Sequence, residues 1–348
     1  MFTLSDVKNK RTPNFENLLT VLRRERPPRY TLFEFFLNDP LEAYVTGAKL
    51  DPSDPEDVLK NKIEAYAMLG YDYTTMHASD FVFPHKQNEH GKASVSVNEG
   101  AIITDPESYK AYQWPDPEAA YNGRLERLAP YLPEGMKFVV YGPSGVLENV
   151  MALTGYDNLC YMLADEPELV EEIFYMVGSR LVKYYQQIVN LDCVGALIAN
   201  DDWGFNTQTM LSTADMRRLV FPYHKQIVET AHGAGKPIFL HSCGNLERVM
   251  DDVIDSINYD GKHSYEDKIM SVEEAYDRYG GRIAIMGGID MDYVCRADPK
   301  DVYNRSLAML EKTGGKGYAL GTGNSIPEYV PYEGYFAMIA AALNNEMK

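Results

Sequence analysis

No apolar run in this chain approaches the roughly 20 residues that cross a membrane, and the N-terminus, Met1-Phe-Thr-Leu-Ser-Asp-Val-Lys-Asn-Lys10, has neither the apolar core nor the cleavage site of a signal peptide. Cysteine is scarce. Cys160, Cys193, Cys243 and Cys295 are the four in 348 residues, too few for a disulfide framework. These absences predict a cytoplasmic protein. Positive charge is also in short supply: Lys plus Arg is 33 against 51 for Asp plus Glu, a balance of −18. Such a surface repels nucleic acid and anionic membrane, so neither is an expected partner. No Gly-x-Gly-x-x-Gly follows the first strand candidate and no low-complexity linker divides the chain. One domain over residues 1–348 is expected.

What is present is a repeated grammar of short apolar strand, polar or glycine-bearing tip, and helix. The strand candidates are Tyr30–Phe36, Tyr71–Met76, Lys137–Tyr141, Gly195–Ala199, Pro237–Leu240, Ser256–Tyr259, Arg282–Met286 and Gly317–Leu320. Helical patterns lie between them at Glu56–Leu69, Glu166–Asn190, Thr213–Ala234, Val272–Tyr279 and Pro299–Lys312. Alternation of this kind implies parallel βαβ units, and eight of them imply a single (β/α)8 TIM barrel. Residues 1–29 form a helical extension, with a helix at Phe15–Glu25 ended by Pro27-Pro28. Residues 78–136 are an insertion after the second strand, with a hairpin at Lys92–Ile103 and a helix around Pro106–Tyr112, expected over one barrel mouth.

Barrel enzymes carry their sites at the C-terminal strand tips. In Lys236-Pro-Ile-Phe-Leu-His-Ser-Cys-Gly-Asn245 a buried strand ends in His241 and Cys243. Alternate residues of an extended chain point the same way, so imidazole and thiol can converge on one point. That pair suits zinc; the plainer alternative is a hydrogen-bonded histidine beside an inert cysteine. His263, on the next tip, is either a third ligand or a satisfied loop histidine. Glu34 sits inside the apolar Phe33-Glu-Phe-Phe36, where a charge is costly unless used, which marks it as catalytic. Asp201 and Asp202 can hold substrate, orient a ligand or cap the following helix. Asp202 and Glu148 are taken as catalytic, and His77, Tyr141, Asp201 and Asn324 as substrate-binding. His85, His90, His224 and His232 are read as structural, and Cys160 and Cys193 as core. None of the tips carries an arginine immediately, whereas a polycarboxylate or phosphate site calls for guanidinium forks.

Several runs together resemble a known family. Asp201-Asp-Trp-Gly204, Phe221-Pro-Tyr-His-Lys225, Gly235 through Asn245, Gly155-Tyr-Asp-Asn-Leu159, Asp165-Glu-Pro-Glu-Leu169 and Gly287-Gly-Ile-Asp290 are similar to segments of the uroporphyrinogen decarboxylase superfamily, over roughly residues 135–335. The resemblance implies one (β/α)8 barrel. One branch decarboxylates uroporphyrinogen without a cofactor, using an aspartate and N-terminal arginines. Here the Arg-Gln-Ala-Gly-Arg type of segment is replaced by Arg26-Pro-Pro-Arg-Tyr-Thr-Leu-Phe-Glu34. The other branch comprises zinc-dependent methyltransferases that work with corrinoid proteins and carry His-x-Cys followed much later by a second cysteine. His241 and Cys243 match the first part, and in Gly321-Thr-Gly-Asn-Ser-Ile-Pro327 the late cysteine is replaced by Asn324.

Losing one thiolate leaves a more Lewis-acidic zinc with room for an oxygen ligand, and Glu34, Glu148, His263 or a water is expected to complete the coordination. That suits a methyl ether such as a methoxylated aromatic. The resemblance thus implies zinc and a corrinoid on a partner protein as cofactors, and a small-molecule methyl donor or acceptor. The alternatives are a cofactor-free decarboxylase of a smaller acid and a non-catalytic corrinoid-binding barrel.

Overall fold

A computed structural model describes residues 1–51, 53–84 and 100–347 of the chain. Eight strands alternate with helices: β1 Thr31–Leu32, β2 Tyr73–His77, β3 Lys137–Tyr141, β4 Val194–Asn200, β5 Ile238–His241, β6 Gly261–His263, β7 Ala284–Met286 and β8 Tyr318–Leu320. All neighbours pair in parallel, in the order β1-β8-β7-β6-β5-β4-β3-β2. Consecutive parallel strands need a crossover each, and the helices between them supply it. The sheet curls into the expected (β/α)8 barrel.

Its seam lies between β1 and β2, which share no ladder among the described residues. Tyrosine hydroxyls bridge the gap. The Tyr73 Oη accepts from the Glu34 amide at 2.7 Å and donates to the Glu34 carbonyl at 2.8 Å. Tyr66 Oη donates to the Phe35 carbonyl at 3.4 Å and lies 3.3 Å from Thr75 Oγ1. These side chains satisfy backbone groups that a longer β1 would have paired, which a buried chain cannot leave open.

The N-terminal extension closes the opposite end of the barrel. Its helix, Glu16–Leu22, buries Leu18, Val21 and Leu22, each worth about 2 kcal/mol in apolar burial. Two strand glycines make room for it. A Cβ on Gly195 would stand 2.3 Å from the Phe15 ring, and one on Gly261 would stand 3.0 Å from Leu22.

The sixth strand and the two cysteines read as core differ from expectation. Ser256–Tyr259 is not the sixth strand: Asp252–Ile257 is a π-helical segment that buries Val253, Ile254 and Ile257, and Asn258 ends it at φ 71°, a conformation asparagine tolerates. The strand follows at Gly261–His263. The described part of the insertion touches the mouth at the β2 tip, where the Arg124 guanidinium donates to the Ser79 carbonyl. It runs along the outer helix Pro167–Ile188, where the Arg180 guanidinium donates to the Pro115 carbonyl and packs on the Trp114 ring. Most of the Lys92–Ile103 hairpin, with His85 and His90, lies outside the described residues. Finally, Cys160 is exposed and Cys193 half-buried, so neither is core; all four thiols are free.

Candidate metal centre

At the C-terminal mouth one register line runs through Asn200, His241, His263 and Met286 on adjacent strands. Paired residues of a parallel sheet share a face, so the two imidazoles point together into the barrel. Asp202 joins them because two loops pack backbone on backbone. Gly244, at φ +88°, lies so close to Gly204 that a Cβ on it would stand 2.0 Å from the Gly204 carbonyl oxygen. The Asn245 amide donates to the Phe205 carbonyl at 2.8 Å across the same contact. The loop after β4 is thereby pressed against the loop after β5, and the Cys243 amide donates to Asp202 Oδ1 at 2.8 Å.

The result is a three-residue cluster. Single ligand atoms of Asp202, His241 and Cys243 all lie within 4.8 Å of one another. Cys243 Sγ stands 4.0 Å from His241 Nε2, near the roughly 3.5 Å edge that zinc–nitrogen and zinc–sulfur bond lengths imply for a tetrahedron. Burial pushes the Cys243 thiol above its usual range, with Asp202 adding to it; burial also lowers His241 to about 4, opposed by Asp202. A buried neutral imidazole, a thiol and a carboxylate form a donor set that fits zinc with one position left for a further ligand.

The outer partners are as specific. Ser264 Oγ donates to Cys243 Sγ at 3.3 Å, and Asn324 Nδ2 does so at 3.5 Å. Asn324 thus reaches the thiol of Cys243 from the β8 tip. Lys262 points away from the barrel axis, is buried over the Tyr265 ring at 4.3 Å, and donates to the Ser264 carbonyl. Burial lowers its ammonium to about 8. It fixes Ser264 at φ 80°, from where the hydroxyl reaches Cys243. Sequence reading gave Lys262 no role; only its partners identify one.

Two of the predicted site residues stand elsewhere. Asp201 is fully buried and accepts from the Leu147 amide at 3.0 Å, the Glu148 amide at 2.9 Å and His224 Nε2 at 2.9 Å. It caps the helix Val146–Thr154, and Gly145 leaves room for it, since a Cβ there would stand 2.0 Å from the Asp201 Cβ. With its oxygens so engaged, Asp201 is an anchor and not a substrate ligand. His224, whose Nδ1 meets Tyr259 Oη at 2.6 Å, completes that buried network. Glu34 is likewise sealed: Oε1 accepts from the Thr322 amide at 2.7 Å and Oε2 from the Thr322 hydroxyl at 2.8 Å. Burial raises its carboxyl to about 8. It touches no open space, so its place is behind the site.

His263 has both nitrogens engaged, by His241 Nδ1 at 2.7 Å and the Thr322 carbonyl at 3.1 Å, and so backs His241 instead of adding a ligand. Glu148, in contrast, is beside Asp202; burial, then the charges of Asp202 and Asp201, raise its carboxyl well above the usual range.

Aromatic rings wall the β1-to-β3 side. Phe35 lies 4.5 Å from the His241 ring and 5.1 Å from Tyr141, and Tyr141 lies 4.3 Å from His77. His77 is lowered to about 4 by burial and then by Arg124 and Lys62. Both cations are closer to the tips than the sequence suggested, but Arg124 is bound to Asp80 and to the Ser79 carbonyl. On the β6-to-β8 side a cavity of about 600 Å³ is lined by Tyr265, Asp290, Arg296, Asn324 and Tyr329, among others, within the size range of small-molecule sites.

The family model for uroporphyrinogen decarboxylase (URO-D) matches residues 138–344. A curated uroporphyrinogen decarboxylase from Synechococcus sp. (strain JA-3-3Ab) is 25% identical over 183 residues, covering 51% of this chain and 46% of that protein. The match thus spans about half the length of the relative. A solved structure of a methyltransferase from Methanosarcina mazei superposes with a TM-score of 0.71 at 13% identity, over 95% of this chain and 98% of that one, a likeness of fold. The matched segment runs from β3 to the last helix and carries Asp202, His241 and Cys243, and with it the chain belongs to the uroporphyrinogen decarboxylase family.

Proposed function

We propose that this chain is a zinc-dependent methyltransferase moving a methyl group between a small uncharged substrate, such as a methoxylated aromatic, and a corrinoid carried by a partner protein. The observation that carries this reading is the convergence of Asp202, His241 and Cys243 at the barrel mouth. Zinc held there supplies Lewis-acid polarisation of the oxygen or sulfur that loses or receives the methyl group. Phe35, Tyr141 and His77 offer faces and edges against which an aromatic ring stacks. Glu148, beside Asp202, holds a proton for the oxygen that is released. Asn324 keeps the thiol of Cys243 in place from the cavity side.

Cofactor-free decarboxylation of a small acid is the second reading, favoured by the name of the curated relative. It needs a free cation for the substrate carboxylate. Arg124 is engaged by Asp80, and Arg296 is paired with Asp292 at 2.7 Å on the rim, which leaves Lys62 over the Tyr141 ring and Lys268 in the cavity lining as the cations for that role. Elemental analysis separates the readings: about one zinc per chain is expected, lost in Cys243→Ala. Methoxylated aromatics with cob(I)alamin should then give a substrate-dependent spectral change. A folded wild type that resists zinc loading and releases carbon dioxide from an acid refutes the methyltransferase reading.

A further inference from the structure

Behind the candidate metal ligand His241 stands a buried chain of hydrogen bonds that the methyl-transfer reading does not use. Glu34 grips Thr322 through both carboxyl oxygens. The Thr322 carbonyl accepts from His263 Nε2 at 3.1 Å and from the Gly288 amide at 2.8 Å. His263 Nδ1 meets His241 Nδ1 at 2.7 Å. His241 then presents Nε2 toward Cys243.

Only one arrangement of protons satisfies the chain. A carbonyl oxygen only accepts, so His263 Nε2 carries a hydrogen. Among the described residues no carboxylate bonds to His263, whose two nitrogens face His241 and the Thr322 carbonyl, and its ring is fully buried, conditions that keep an imidazole neutral. Its Nδ1 is therefore bare and accepts, and the hydrogen between the two rings belongs to His241 Nδ1. The opposite assignment would set two lone pairs against each other at His263 Nε2 and the Thr322 carbonyl, and would turn an N–H toward Cys243.

We infer that Glu34, Thr322 and His263 are positioning residues that fix His241 as its Nδ1–H tautomer, leaving the Nε2 lone pair aimed at the space shared with Asp202 and Cys243. A metal ligand oriented through its other ring nitrogen is a general device. Here the orienting group is a second imidazole, fixed in turn by a main-chain carbonyl and a buried carboxyl group. Gly287 belongs to the arrangement. It adopts φ +66°, and a Cβ there would stand 2.3 Å from the Thr322 oxygen and 3.0 Å from His263 Nε2. A glycine at this point leaves the His263–Thr322 bond room to form.

The inference deepens the metal reading and is tested apart from it. Nitrogen-15 NMR of the histidine-labelled apoprotein is expected to show His241 protonated at Nδ1 and bare at Nε2. Zinc affinity, measured by chelator competition, is expected to fall 10- to 100-fold in His263→Leu. It should recover to within about threefold of wild type in His263→Asn, whose Oδ1 takes the place of the accepting nitrogen. A wild-type spectrum with His241 protonated at Nε2 overturns the relay, as does a folded His263→Leu that binds zinc as tightly as wild type. If His263→Leu does not fold, the wild-type spectrum and His263→Asn decide. A wild type that takes up no zinc refutes the metal reading, and the tautomer spectrum then decides the relay alone.

Discussion

Asp202→Asn separates a ligand from a neighbour. The amide keeps the shape and the oxygen that accepts from the Cys243 amide at 2.8 Å, so the loop contact survives. What it removes is the anionic oxygen that lies with His241 and Cys243. Losing an outer-shell partner weakens metal binding 10- to 100-fold, so roughly 100-fold is expected for a group in the cluster itself. With free zinc at 100 times the wild-type Kd, wild type gains about 2.7 kcal/mol, and a site 100-fold weaker gains about 0.4 kcal/mol. For 348 residues the unfolding entropy is about 0.7 kcal/mol per degree. Zinc should raise the wild-type Tm by about 4 °C and that of the variant by less than about 1 °C. Without zinc the order should be level or reversed, because the variant relieves the like charge that Asp202 imposes on Glu148. The assay is differential scanning fluorimetry with buffered zinc. Equal zinc shifts in the two proteins would show that Asp202 does not ligate.

Two further predictions concern the framework. Glu42 is buried and raised to about 8, by burial first, against the opposing charge of Lys62. Its native form holds a proton that the unfolded chain has released between about pH 4.5 and 8, so stability falls as pH rises through that window and levels off above it. Glu42→Gln should match wild type in urea melts at pH 4 and exceed it by a few kcal/mol at pH 9; an unchanged difference across that range would refute the burial argument. Gly287→Ala meets both the left-handed backbone cost of about 1–2 kcal/mol and the clash with Thr322, so a loss of about 2–4 kcal/mol in denaturant stability is expected. A loss under about 0.5 kcal/mol would mean that the contact relaxes freely.

The alternation of apolar runs with helical patterns carried the barrel in the linear chain, because each unit declares itself over a dozen residues and the connections between parallel strands must be long. His241 and Cys243 were legible for a similar reason: an extended chain fixes where residues two apart point. The sixth strand lies later than Ser256–Tyr259 because Ile257 and Tyr259 alternate like a short strand, while Ile257 belongs with Val253 and Ile254 to a buried helical face.

Partnership was decided only by tertiary structure. Asp201 and Asp202 are adjacent in sequence, yet one caps a helix and the other meets a thiol, since successive side chains leave the strand end in opposite directions. Glu34 stood out in the sequence as a costly buried charge, but its partner Thr322 is 288 positions away and only barrel closure brings the two together. The same closure places Ser264 and Asn324 on Cys243. Local periodicity is enough to declare the fold class and to bring His241 and Cys243 to one side of a strand tip. The approach of Asp202 to that pair, the contact of His263 with His241 and the place of Glu34 behind the site all depend on contacts between strand tips, which periodicity does not encode.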